Sequence, residues 1–99
     1  MPTAPDDHFY DRADAHIHLA NGQLKDADRG RVSASFLYGA SRFNVHVAAC
    51  NSGSRDALVD GRAGIRDYYV AEYAKMLEAH LDDYIAHYHR YMSSDDRQA

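Results

Sequence analysis

Proline is scarce in this 99-residue chain: Pro2 and Pro5 are the only two, and both precede Asp6. Beyond them no residue locks φ or removes a backbone N–H donor, so long helices can run uninterrupted. Cysteine occurs once, as Cys50, which excludes an internal disulfide and fits a reducing compartment. Tryptophan is absent. No apolar run approaches the roughly 20 residues that cross a bilayer, and no charged start leads into a short apolar segment. The expectation is a cytoplasmic protein with no membrane partner. Excess basic charge is also missing: 11 Lys and Arg stand against 15 Asp and Glu, a net charge of −4 with His neutral. That balance argues against binding a phosphate backbone, so no nucleic-acid partner is expected. Period-two alternation of useful length is absent too, which argues against a sheet.

What is present is helical periodicity, and the length suits one small domain. A first helix is expected over about 7 to 24, with Asp6 or Asp7 as N-cap. Its stripe is Phe9, Ala13, His16, Ile17, Ala20 and Leu24, at three- and four-residue spacing. "KDADRG" makes a polar connection. A second helix is expected over about 31 to 51, with the stripe Val32, Phe36, Ala40, Phe43, Val47 and Cys50. Ser35 and Gly39 on it leave room for another backbone to come close. "NSGS" at 51–54 stops this helix, with Gly53 suited to follow its end and Ser54 to cap the next. The last stretch, 55 to about 92, is the longest. Gly61 and Gly64 weaken its start, leaving 55–64 open as helix, kink or loop. From Ile65 the pattern is firm: Val70, Leu77, Tyr84 and Tyr91 recur every seven residues, with Tyr73, His80 and His87 at the intervening offset. One short helical pair has the look of half of a tetratricopeptide-type array, but a solenoid needs about three repeats and no second copy follows.

The fold class expected is therefore all-α: a three-helix domain over 7–92, an antiparallel helix pair packed on a long C-terminal helix, between disordered ends at 1–6 and 93–99. Three stretches, "FYDRADAHIHLAN", "GRVSASFLYGASRFNVHVAA" and "YYVAEYAKMLEAHLDDYIAHY", together resemble a bacterial family known as domain of unknown function 3144. The resemblance covers about residues 9 to 91. It implies a compact helical cytoplasmic protein and brings no activity, cofactor or catalytic residue with it.

"DAHIHL" at 14–19 has the form of a hydrolase metal strand, in which residues i and i+2 share a face. A (β/α)8 barrel that would use it needs at least about 200 residues. In a helix, His16 and His18 are about 200° apart and cannot share an ion. His16 is then expected to tilt toward the core and His18 toward water. A better metal candidate is His80, Asp83 and His87, whose i, i+3, i+7 spacing groups imidazole and carboxylate donors suited to a divalent ion. A stable site would need a further ligand from elsewhere. No Glu-x-x-His of the helical di-iron type occurs. Cys50 lies four residues after His46, so the two can touch, yet a cysteine closing an apolar stripe is more often a buried, inert thiol. Arg29, Arg31, Arg42 and Lys25 lack any accompanying phosphate loop.

Five of the eight Tyr fall between 68 and 88, with Tyr91 just beyond. An apolar, Tyr-rich face longer than two shorter helices can cover calls for a partner, most simply a second copy. The expectation is a non-enzymatic module that forms a homodimer or binds a protein through Tyr73, Leu77, Tyr84, Tyr88 and Tyr91. No catalytic residue and no resident cofactor are assigned. The alternative is a divalent-metal-binding or pH-responsive protein, in which His80 and His87 charge below about pH 6.5 and loosen the contact by like-charge repulsion.

Overall fold

The computed structural model describes residues 6–93. These residues are about 85 % helical and contain no strand, so the chain is all-α. Helix α1 spans Phe9–Gln23, α2 Arg29–Ser52, α3 Arg55–Ala86 and the short α4 Tyr88–Tyr91. The expected disordered ends fall outside the described residues except for Asp6 and Ser93, whose hydroxyl donates to the Arg90 carbonyl at 3.4 Å. The described chain forms two compact units that divide inside α2, between Ala40 and Ser41.

In the first unit, Asp6 organises the approach to α1. Its Oδ1 accepts the His8 N–H at 2.9 Å, its carbonyl accepts from Phe9 at 3.1 Å, and its Oδ2 holds Arg12 at 2.9 Å. The N-cap position itself is His8, which makes no side-chain cap. Asp6 thus satisfies free N–H groups at the helix start from two residues before the cap position. Half-buried Ala13, Ile17, Ala20 and Leu24 trace the expected stripe, whereas His16 and Phe9 are exposed. Helix α2 starts two residues earlier than expected because Asp28 caps it, its Oδ1 accepting the Arg31 N–H at 2.8 Å. Val32, the only buried residue described in this unit, follows one turn later.

In the second unit, α2 ends on Gly53, whose φ of +81° lies where glycine alone is at ease. Its N–H donates to the Ala49 carbonyl at 3.2 Å. Ser54 then caps α3 as expected, its Oγ accepting the Ala57 N–H at 3.1 Å. Residues 55–64, which the sequence left undecided, are continuous helix. The covered side of α2 runs through Asn44, Val47, Ala48, Ala49 and Ser52, with Ala48 buried. In this unit it meets the expected stripe only at Val47; the stripe's first member, Val32, is covered in the first unit. Phe43 is 65 % exposed and Cys50 is also exposed. Small side chains face inward here, and the larger apolar ones do not. On α3, the half-buried positions Leu58, Gly61, Ile65, Tyr68, Tyr69 and Glu72 keep a three- and four-residue rhythm. From Tyr73 on, the apolar side chains of α3 are exposed.

The helix expected to continue to about residue 92 breaks at His87, where φ is −126° and ψ 35°. No glycine or proline accounts for the break. Eight residues of straight helix rise about 12 Å, and the bend brings Tyr91 back to Asp83 across that separation.

Three substitutions test these local assignments by urea unfolding at fixed protein concentration. Ser54→Ala removes the cap and is expected to cost about 1 kcal/mol. Gly53→Ala forces a Cβ into the left-handed region and is expected to cost about 1–2 kcal/mol. At Gly64, inside α3, an added Cβ would meet nothing within 4 Å, so Gly64→Ala is expected to gain about 1 kcal/mol.

Candidate functional site

The second half of α3 concentrates side chains whose chemistry is not spent on folding their own unit. At 100° per residue, Val70, Tyr73, Leu77, Leu81, Tyr84 and Ile85 lie within an arc of about 120°. Each is between 37 % and 73 % exposed, and Tyr88, just past the break, is 54 % exposed. Four of the five side chains assigned to an interface, Tyr73, Leu77, Tyr84 and Tyr88, therefore stand open. Tyr91 is half-buried instead, because the bend stacks its ring on Tyr84 at 4.3 Å between centroids and 20° between planes. The Arg90 guanidinium lies 5.2 Å from the same ring.

Asp83 is the hub of this end of the helix. The Tyr91 hydroxyl donates to its Oδ2 at 2.5 Å, and His87 Nδ1 lies 3.2 Å from its Oδ1 and 3.2 Å from its carbonyl oxygen. Hydrogen bonding from Tyr91 holds the Asp83 carboxyl below its ordinary value of 3.8; desolvation opposes it, and the bond from His87 adds to the lowering. Asp6 is lowered in the same sense, chiefly by its bond from Arg12.

Of the candidate metal ligands, the structure brings Asp83 and His87 together. His80 is exposed one turn earlier on the same side of α3. Among the described residues no group of three or more His, Cys, Asp or Glu is placed to hold an ion. "DAHIHL" is the middle of α1, with both His16 and His18 exposed, so the tilt of His16 toward a core is corrected. Cys50 is corrected as well: the thiol is exposed, and its Sγ lies 3.6 Å from His46 Nε2. The i, i+4 contact was legible in sequence, but the exposure was not. The basic residues near the start of α2 include Arg31, whose Nη1 lies 3.6 Å from Asp28 Oδ2. Near them Gln23, Asp26, Ala27, Arg31, Val32 and Ser35 line a surface depression of the first unit.

Sequence reasoning missed the contact of Tyr91 with Asp83. Its i, i+8 spacing is not a neighbour relation on a straight helix, and nothing in the local sequence marks His87 as a break.

If Tyr91 and His87 hold Asp83 ionised, its contribution to stability is present above pH 3.8 and lost as pH falls through the lowered value. Tyr91→Phe removes the largest cause, so carboxyl-detected NMR should show the Asp83 midpoint moving up toward 3.8. An unchanged midpoint would show that Tyr91 does not hold it.

Among the described residues no helix is long and apolar enough to cross a membrane. The model of a family described as "Protein of unknown function (DUF3144)" matches residues 9–85. No curated protein and no solved structure matches the chain. The match spans more than half of the sequence, so the chain belongs to the DUF3144 family.

Proposed function

We propose that this member of the DUF3144 family is a non-enzymatic self-association module, in which the exposed face from Val70 on α3 to Tyr88 on α4 packs on the same face of a second copy. The carrying observation is the 120° arc of apolar side chains that its own unit leaves open. With aromatic side chains of about 200 Å² each, Val70, Tyr73, Leu77, Leu81, Tyr84, Ile85 and Tyr88 together offer roughly 700 Å². A standard interface takes about 800 Å² from each partner. The face therefore matches the size of a stable interface with a second copy. Its composition supports the same reading, since tyrosines and leucines fill the arc while Glu78 and Asp82 lie outside it. Two-fold pairing makes such a patch complementary to itself without requiring a second kind of surface.

The burial inside each unit points the same way. Val32 and Ala48 are the only buried hydrophobic residues described, which is little apolar burial to set against the ordering entropy of so many residues. A second copy supplies the missing cover. A protein-binding role toward an unlike partner would use the same face.

Light scattering and sedimentation at micromolar concentration test this reading. The wild-type chain is expected at twice the chain mass, with unfolding that shifts to higher denaturant as concentration rises. Tyr73→Asp combined with Leu77→Asp places two carboxylates in the arc, away from the Asp83 cluster. It is expected to weaken the dimer at least tenfold while circular dichroism still reports helix. A wild-type monomer at these concentrations overturns the reading. A dimer that the double variant leaves unchanged moves the interface to another face.

A further inference from the structure

We infer that the bent helix end, residues 87–92, is an autoinhibitory cover: the Asp83 cluster folds Tyr91 onto Tyr84 and withholds that end of the α3 face from a second copy. Release of the cluster lets α3 continue straight and lengthens the face by one tyrosine. The inference rests on the self-association reading above. Three observations lead to it.

The first is that the main chain does not require the break. From Ile65 to Met92 the sequence contains neither glycine nor proline, and between Arg55 and Tyr91 His87 alone leaves the helix. Past it the chain is helical again, with the His87 carbonyl accepting from Arg90 and Tyr91 at 3.1 Å each. Tyr88 and His89 begin α4, where N–H groups find no partner within their own helix. A straight helix would engage them with the Tyr84 and Ile85 carbonyls. The bend therefore gives up main-chain hydrogen bonds, and side chains must compensate.

The second is what compensates. The Tyr91 hydroxyl and His87 Nδ1 both meet the Asp83 carboxylate, and the Tyr91 ring stacks on Tyr84. On a straight helix Tyr91 would lie about 12 Å along the axis from Asp83 and about 10.5 Å from Tyr84, so neither contact survives straightening. The His87 and Asp83 side chains are 47 % and 45 % exposed, so solvent screens their attraction. A screened cluster set against regained main-chain bonds makes this end a two-state element that a modest outside contact can tip.

The third is what the bend covers. Tyr84 is the least exposed member of the arc, at 37 %, whereas its neighbour Ile85 stands at 73 %. Tyr91 occupies a ring face of Tyr84 that a second copy would otherwise meet. On a straight helix Tyr91 instead falls within about 20° of Tyr84, and it extends the line of Val70, Leu77 and Tyr84 by two turns. Cover and second copy compete for one ring, so each weakens the other by the same factor.

The test uses the full chain, with Tyr91→Phe and Asp83→Ala to release the cluster. Asp82→Ala, one residue earlier, controls for the helix propensity that alanine adds on its own. Sedimentation equilibrium gives the dimer dissociation constant. NMR reads the His87 Cα shift and the Tyr84–Tyr91 ring contact at concentrations below and above it. The wild-type monomer is expected to show the ring contact and a non-helical His87. Both signatures should vanish in the dimer as residues 87–92 join the helix. Tyr91→Phe is expected to tighten the dimer about fivefold over wild type, and Asp83→Ala by as much over Asp82→Ala. A release variant that dimerises no tighter overturns the inference, as does a helix end that frays to coil in the dimer. A wild-type dimer that keeps the bend and the ring contact overturns it too and leaves self-association standing. A chain that is monomeric at every concentration overturns both.

Discussion

A helix that carries apolar side chains over a third of its circumference has to bury them, and α3 meets that requirement only along its first half. Up to Glu72 its covered positions follow a regular three- and four-residue rhythm within their unit. Beyond Glu72 the rhythm continues in the sequence, but nothing in the unit covers it. The exposed arc follows from this imbalance, and so does the scarcity of buried residues. Caps and turns fix where each helix starts and stops, through Asp28, Gly53 and Ser54. They do not supply the apolar burial that dominates the stability of a folded domain.

Asp83 imposes a second constraint at the far end of the same helix. One carboxylate accepts from Tyr91 and contacts His87, and the chain bends to allow both. The bend ends the heptad run, takes Tyr91 off the open face and stacks it on Tyr84. These contacts are substantially exposed, so their energetic weight is limited by solvent screening. Their effect is geometric: they set where the apolar arc ends and hold an imidazole beside a carboxylate at its edge. Packing and polar chemistry therefore meet over two turns of helix.

Much of this was legible from residue spacing. The stripe Ala13, Ile17, Ala20 and Leu24 was readable because an amphipathic helix shows its covered side at period 3.6. Ser54 and Gly53 were readable because capping is local chemistry. Asp28 was readable in principle by the same rule, as an Asp directly before a helix, but the polar run around it hid the start of α2. The stripe on α2 held at Val32 and Val47 and failed at its other members. Phe36, Phe43 and Cys50 do form a helical line, yet the side covered within the unit carries Asn44, Ala48 and Ser52. Periodicity identifies an apolar face and does not say which molecule will cover it. His16 erred in the same direction, being on the right side of α1 and still exposed.

The sequence by itself determined the all-helical class, the three long helices and the heptad-like line from Val70 to Tyr84, because each depends on contacts within about one turn. It also placed Asp83 one turn from His87. The tertiary structure decided the break at His87, the return of Tyr91 to Asp83, and the exposure of the α3 arc and of Cys50. Those depend on where segments distant in sequence come to lie, or on which surfaces find no neighbour. A local pattern constrains the direction in which a side chain points along its helix, while burial is settled by what other chain arrives to meet it.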